Sequence, residues 1–194
     1  MLNRKEEYQK MSAVECNHWW YRTLHKLVLD SLFKYTPDRD SNILDAGCGS
    51  GGLITFLNSY EYKNIKGFDL SDDAVCISKE KKLNVVSGDI KDIESIISNQ
   101  HFDAIISNDT LYFLKSEEIS KFMDSCSNGL RSGGVLILNI PVFEAFRGIH
   151  DISVGIQRRF SRQDFNIFIN HKDFRIVRKT FWPFLLFPLI FMTR

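Results

Sequence analysis

The chain has 194 residues and a mass of 22.6 kDa, the length of one domain, and a chain of this size buries about 70% of its unfolded surface. Hydrophobic residues make up 44% and charged residues 25%, a balance that excludes wholesale disorder. Lys and Arg number 25 against 24 Asp and Glu, a net charge of +1, so no basic field is present and no nucleic acid is expected as a partner.

Residues 1–10 are charged and lack the apolar core of a secretory signal. A helix is expected over residues 18–35, with Leu24, Leu27, Val28, Ser31, Leu32 and Tyr35 on one face, ended by Thr36-Pro37. Residues 42–46 read as a short buried strand running into Gly47-Cys48-Gly49-Ser50-Gly51-Gly52, and a helix follows over 53–60. The alternation repeats: strand 65–69, then helix 72–82 with Ser71 as its cap. Strand 84–87, helix 90–98, strand 102–107 and helix 117–130 with Ser116 before it come next. Gly133-Gly134 leads into a strand over 135–140, stopped by Pro141. Beyond it, residues 146–160 look too irregular for a core element. Ser161 caps a helix over 162–171, and residues 174–180 alternate apolar and basic side chains as an edge strand does. The longest apolar run, 181–192, is broken by Pro183 and Pro188. It is shorter than the roughly 20 residues a membrane span needs, so it is expected to pack on the sheet or to contact an apolar partner.

Strand–helix alternation with buried-type strands means an α/β fold: a Rossmann-like three-layer sandwich, a mostly parallel sheet with helices on both faces. Ligands in such sheets bind at the carboxyl ends of the strands, where the strand order switches. That rule gathers residues 47–52, Asp69, Asp89 and residues 108–112. The glycine loop supplies a tight turn and free N–H groups at a helix start. Gly47-x-Gly49-x-x-Gly52 also fits a dinucleotide fingerprint, and a tight turn without ligand fits it too. Asp45, two residues before Gly47, favours an ammonium group over a pyrophosphate, because like charges repel. Asp69 suits ribose hydroxyls, and Asp89 an exocyclic amine with Ile90 against an adenine face. Cys16, Cys48, Cys76 and Cys126 form no Cys-x-x-Cys pair and no zinc spacing. No metal is therefore expected, and reduced thiols in a cytoplasmic protein are the simplest reading.

At these residues the chain resembles the class I S-adenosylmethionine-dependent methyltransferases. Asp45, Gly47, Gly49 and Gly51 match the family's Asp-x-Gly-x-Gly-x-Gly motif. Gly67-Phe68-Asp69-Leu70-Ser71 looks like its second motif and Gly88-Asp89-Ile90 its third. Phe102-Asp103-Ala104-Ile105-Ile106-Ser107-Asn108 resembles the fourth, and Leu130-Arg131-Ser132-Gly133-Gly134-Val135-Leu136 the approach to the fifth strand. The resemblance implies S-adenosyl-L-methionine as cofactor and S-adenosylhomocysteine as product. It implies that Asp69, with Leu70 beside it, binds the ribose and that Asp89 and Ile90 hold the adenine. The glycine loop takes the methionine part, and Asp45, Cys48 and Asn108 count with it as expected cofactor-binding residues. It also implies a seventh, antiparallel strand, for which the chain offers no candidate. A nicotinamide oxidoreductase is the alternative from the loop alone, but too little chain follows Pro141 for a substrate domain.

The ends resemble a subgroup of small bacterial methyltransferases that act on lipid-like or secondary-metabolite substrates. There a His-aromatic-Trp-aromatic segment such as His18-Trp19-Trp20-Tyr21 closes over the cofactor, with Tyr21 and Arg22 at its carboxylate. Trp19 and Trp20 cannot both face one core, because helix neighbours lie about 100° apart, so one is expected at the substrate mouth. The subgroup's His-Asp…Gly-His-x-Arg-Arg-Tyr pattern is kept here at His150, Asp151, Gly155, Arg158 and Arg159. Ile156 replaces its second His and Phe160 its Tyr. His150 with Asp151 is the expected catalytic base, and Arg158 and Arg159 the expected grip on an anionic group. Asn108, Asp109 and Tyr112 should face the transferred methyl. Asn108-Asp109-Thr110-Leu111 is not the Asn/Asp-Pro-Pro-Tyr sequence of many nucleic-acid amino-methylating enzymes. The expected reaction is therefore methyl transfer to a small or lipid-like acceptor, on oxygen. A cofactor binder without turnover is the competing reading. The expected layout is one domain: cap 1–36, cofactor core 42–141, substrate side 142–194.

Overall fold

A four-residue strand with no exposed position sets the middle of the sheet. In the computed structural model, which describes residues 5–98, 100–148, 151–152, 155–161, 163–169 and 173–182, β1 (Ile43–Ala46) is buried throughout. β2 (Ile65–Asp69) and β4 (Phe102–Asn108) flank it, β3 (Val85–Ser87) lies outside β2, and β5 (Leu130–Asn139) outside β4. All pairings are parallel, with Asp45 opposite Gly67 on one side and Ile106 on the other. The continuous apolar run Ala104-Ile105-Ile106 belongs in such a sheet because both its faces are covered. On one face α2 (Trp19–Tyr35) and α3 (Gly52–Asn58) bury Val28, Leu32, Leu53 and Leu57 against Ile43, Ile65 and Ile106. On the other, α5 (Ile93–Ile97) and α6 (Ser116–Gly129) bury Ile97, Ile119 and Phe122 against Leu44, Phe68 and Ile105. The strand order reverses between β1 and β4, and the crevice above their carboxyl ends is where this architecture binds ligands.

Local chemistry fixes the helix starts. Ser71 Oγ accepts from Ala74 N at 3.4 Å to open α4 (Asp72–Glu80), and His18 Nδ1 accepts from Trp20 N at 3.3 Å to open α2. Before α6 the cap is Lys115, not Ser116: the Glu118 carboxylate accepts from Lys115 N at 2.7 Å, which draws Ser116 into the first turn.

The structure departs from the sequence reading in further places, and β5 starts at Leu130, ahead of the expected 135. Residues 5–14, read only as a charged lead-in, form a ten-residue helix, α1 (Lys5–Val14). Residues 174–180 form no strand; Ile176 and Val177 stay 47% and 53% exposed. Pairing therefore offers their alternating side chains no burial, and β5 ends the sheet among the described residues. Within 146–160, read as outside the core, Asp151 and Phe160 are fully buried, although Ile152 is 74% exposed. Phe160 is fully buried against Phe168 and bridges Val142, with Phe143 N donating to Phe160 O at 3.1 Å. The helix after Ser161 is short, α7 (Phe165–Ile169). No helix among the described residues is long and apolar enough to cross a membrane. Of the apolar run 181–192, all but Phe181 and Trp182 lies outside the described residues.

Candidate active site

The chain leaves β1 through a loop that turns at glycines. Gly47 stands at φ +81° and Gly51 at φ +78°, and a Cβ on Gly47 would lie 2.2 Å from Thr110 Cγ2. Gly47→Ala is therefore expected to destabilise the protein by about 2–4 kcal/mol, from left-handed backbone strain and overpacking together; unfolding in urea measures it. The amides of Gly47 and Cys48 both donate to Phe68 O, at 2.9 and 3.0 Å, tying the loop to the end of β2. Asp69 completes the tie. Its Oδ2 accepts from Gly49 N and its Oδ1 from Ser71 N, both at 2.9 Å. Burial still raises this carboxyl above its ordinary range, against the opposite pull of the amides.

Asp45, at the end of β1, is 3% exposed, and its Oδ2 has no hydrogen-bond partner among the described residues. Burial pushes its carboxyl up to about 8, and the charges of Asp69 and Glu15 add to the effect. Glu15 comes from just past α1. Its Oε2 accepts from Ser50 Oγ at 2.6 Å and sits 2.4 Å from where a Cβ on Gly52 would stand. Lys81 Nζ donates to Ser50 O at 2.8 Å from the other side. Met11 reaches within 3.0 Å of where a Cβ on Gly49 would be. Burial, then the charge of Asp69, lifts the Tyr8 phenol to about 12. Helix α1 thus lies over the glycine loop. The sequence reading missed these three residues, although Tyr8, Met11 and Glu15 follow the spacing of a single helix face.

The end of β4 supplies the opposite wall. Asn108 Oδ1 is buried with no hydrogen-bond partner among the described residues. Asp109 takes φ +53°; its N–H donates to Asn139 O at 3.0 Å and its Oδ1 accepts from Asn139 Nδ2 at 2.8 Å. Burial pushes the Asp109 carboxyl up to about 7, with the Asn139 bond and the Arg159 charge holding it lower. Burial and the Asp109 charge raise the Tyr112 phenol; burial, Glu15 and Asp109 raise that of Tyr21. Trp182 Nε1 donates to Asn139 Oδ1 at 3.0 Å, and its ring lies 4.4 Å from that of Trp20. Neither Asn139 nor Trp182 carried a local sequence signal, because only the fold brings them together.

These walls enclose one cavity of about 2000 Å³, beyond the roughly 1000 Å³ upper range of a single small-ligand site. Asp45, Gly47, Cys48, Gly49, Asp69, Leu70, Asp89, Ile90 and Asn108 line it, as do Trp19, Trp20, Tyr21, Asp109, Tyr112, Asp151 and Arg159. Trp19 remains 47% exposed at its edge. Asp89 Oδ1 accepts from Lys91 N at 3.0 Å, turning the chain at Ile90.

Three expected residues lie elsewhere. Arg22 is exposed outside the lining, Gly51 caps α3, and Arg158 donates to Asp164 at 2.6 Å and to Ser116 Oγ at 3.2 Å. Arg159 lines the wall, but its guanidinium is taken up by protein groups. It donates to both Asp151 oxygens, at 2.7 and 2.8 Å, and to Val142 O at 3.1 Å. The expected anion grip is replaced by an internal ion pair, and Asp151 is fully buried in it. His150 lies outside the described residues.

Residues 44–138 match the family described as Methyltransferase domain. That stretch, just under half of the chain, is similar to a methyltransferase domain. Carboxy-S-adenosyl-L-methionine synthase of Colwellia psychrerythraea is 24% identical over 155 residues, 72% of this chain and 62% of that protein. Malonyl-[acyl-carrier protein] O-methyltransferase of Bacillus anthracis is 22% identical over 157 residues, 77% of this chain and 58% of that protein. The chain thus spans 62% and 58% of the length of these curated relatives. Magnesium protoporphyrin IX methyltransferase from Synechocystis, crystallised with S-adenosylhomocysteine, shares the fold at a TM-score of 0.64 and 19% identity. That match covers 82% of this chain and 76% of that one. The chain has the class I methyltransferase, Rossmann-like fold expected from its motifs, with five parallel strands among the described residues.

Proposed function

We propose that the protein transfers the methyl group of S-adenosyl-L-methionine to an oxygen of a small or lipid-like molecule in the cytoplasm. One observation carries the cofactor half: Asp45 Oδ2 and Asn108 Oδ1 are buried without hydrogen-bond donors, at the ends of neighbouring strands beside the glycine loop. Buried acceptors of this kind are costly unless a ligand satisfies them. An ammonium group does so, and the amino-acid end of the cofactor carries one. Asp69 and Leu70 would hold the ribose, Asp89 and Ile90 the adenine, and Tyr8, Met11 and Tyr21 would shut out water. The cofactor supplies an electrophilic methyl, so the protein's task is to align an acceptor with it, an effect worth several kcal/mol. The cavity is large enough for both molecules, and the O-methyltransferase among the relatives supports oxygen.

Calorimetric titration with S-adenosylhomocysteine, with NADH in parallel, tests this reading. Micromolar binding of the first alone is expected; binding of NADH alone would reverse it. The pH dependence follows from Asp45. In the ligand-free chain it titrates near 8 instead of 3.8. The native state then holds more protons than the unfolded chain between those values, and stability falls as pH rises through that window. An ammonium beside Asp45 favours the ionised form, so binding releases the proton. Affinity is expected to fall by up to about tenfold per pH unit below 8, and Asp45→Asn to bind weakly without that dependence.

A further inference from the structure

The residue just past strand β4 takes a left-handed backbone conformation that its surroundings hold in place. Asp109 is not glycine, yet it takes φ +53°, a region such residues occupy when the structure around them over-determines it. Two groups of Asn139 fix it: the backbone carbonyl accepts the Asp109 N–H, and the side-chain amide donates to Oδ1. The amide itself cannot turn over. Its oxygen accepts from the Trp182 indole, which is a donor only, and that indole is packed on Trp20. Among the described residues the side-chain hydrogen bond to this carboxylate is the one that Oδ1 accepts from Asn139, and Asp109 lies on the wall of the same cavity as Asp45 and Asp69, with Oδ2 as its other oxygen. Among the described residues, the charged and titratable groups facing Asp109 are Arg159 on the segment after Gly155, Tyr112 on the turn after β4 and Tyr21 on α2.

We infer that Asp109 is the proton acceptor of the reaction, held in place by Asn139 and Trp182, and that the methyl acceptor is a hydroxyl group. This inference rests on the methyl-transfer reading above. The acceptor oxygen forms its bond to the methyl carbon while the carbon–sulfur bond breaks with both electrons on sulfur. The hydroxyl proton passes to Asp109 Oδ2, and the products are an ether, a thioether and a neutral carboxyl. A carboxylate acceptor is disfavoured at this wall, since it has no proton to give and would bring a second negative charge beside Asp109. Asn139 and Trp182 are positioning residues: they aim Oδ2 without touching the acceptor. The carboxyl titrates close to 7, near the operating pH that suits a general base.

The test needs no acceptor. Sinefungin is the cofactor analogue that carries an amine-bearing carbon in place of the methylsulfonium, so its ammonium would lie where the methyl group does. A carboxylate facing that point should make the full-length protein bind sinefungin about tenfold tighter than S-adenosylhomocysteine at pH 8. Asp109→Asn removes the charge alone, because Asn tolerates this backbone region and can still accept from Asn139. That variant should bind S-adenosylhomocysteine within about threefold of the parent and bind sinefungin no tighter. Asn139→Ala should keep S-adenosylhomocysteine binding and lose part of the preference. Equal affinities in the parent, or a preference that survives Asp109→Asn, would overturn the inference while leaving the methyl-transfer reading intact. A parent protein that binds neither ligand overturns both.

Discussion

Asp69→Ala should remove measurable S-adenosylhomocysteine binding and destabilise the ligand-free protein by about 2–4 kcal/mol, because two part-buried amides lose their acceptor at once. Gly49 N and Ser71 N each donate to one oxygen of this carboxylate. The first belongs to the loop after β1 and the second to the start of α4, so one side chain sets the distance between two walls of the crevice. Asp69→Asn separates the effects of charge and shape. An amide has one acceptor oxygen and one donor nitrogen, so one of the two N–H groups must face another donor. The isosteric variant should therefore still lose about 1–3 kcal/mol in urea unfolding. If it proves as stable as the parent while losing the ligand, Asp69 acts through ligand contact alone. If it is destabilised and binding falls in step, the carboxylate shapes the loop first.

This double role of Asp69 marks how far the sequence could be read. The position of an acid at the end of β2 is legible, because strand and helix periods place it beside the glycine loop. Its two backbone bonds are not, since they depend on how tightly the loop turns. The five parallel strands lie within a few residues of their expected places for a similar reason: buried strands in α/β proteins are continuous apolar runs flanked by turn residues. Where patterning is weak, the reading fails. Helix α1 shows one apolar face only as Tyr8 and Met11 among eight other, largely polar residues, too faint to read without the loop it covers. Residues 174–180 show the opposite error. Their alternation is clean, but period alone does not supply a partner strand or a covering layer. Asn139 and Trp182 meet across 43 positions of sequence, a separation at which no local rule operates.

Arg158 and Arg159 are the instructive pair, since adjacent arginines at a cavity suggest anion binding, and the fold gives each of them an aspartate instead. The partner of Arg159 is fully buried, which makes Arg159→Met the substitution with the largest expected effect on stability. Removing one member of a buried, bidentate pair costs about 3–5 kcal/mol, because the remaining charge keeps its desolvation penalty. A double variant that also carries Asp151→Leu removes both charges and should recover part of that loss. The recovery is incomplete because Gly148 N and Val142 O also bond to the pair. Urea unfolding of the two single variants and the double gives the coupling directly. A coupling near zero would show that the pair adds nothing to the fold and would return Arg159 to the list of substrate contacts. A coupling of about 2 kcal/mol or more would fix it as the clamp that holds the bridge from Val142 to Phe160. That bridge holds the chain three residues past Asn139, the last residue of β5. The ion pair therefore also bears on where Asp109 points: in the double variant, the preference for sinefungin over S-adenosylhomocysteine should fall even though the Arg159 guanidinium is taken up by Asp151 and Val142.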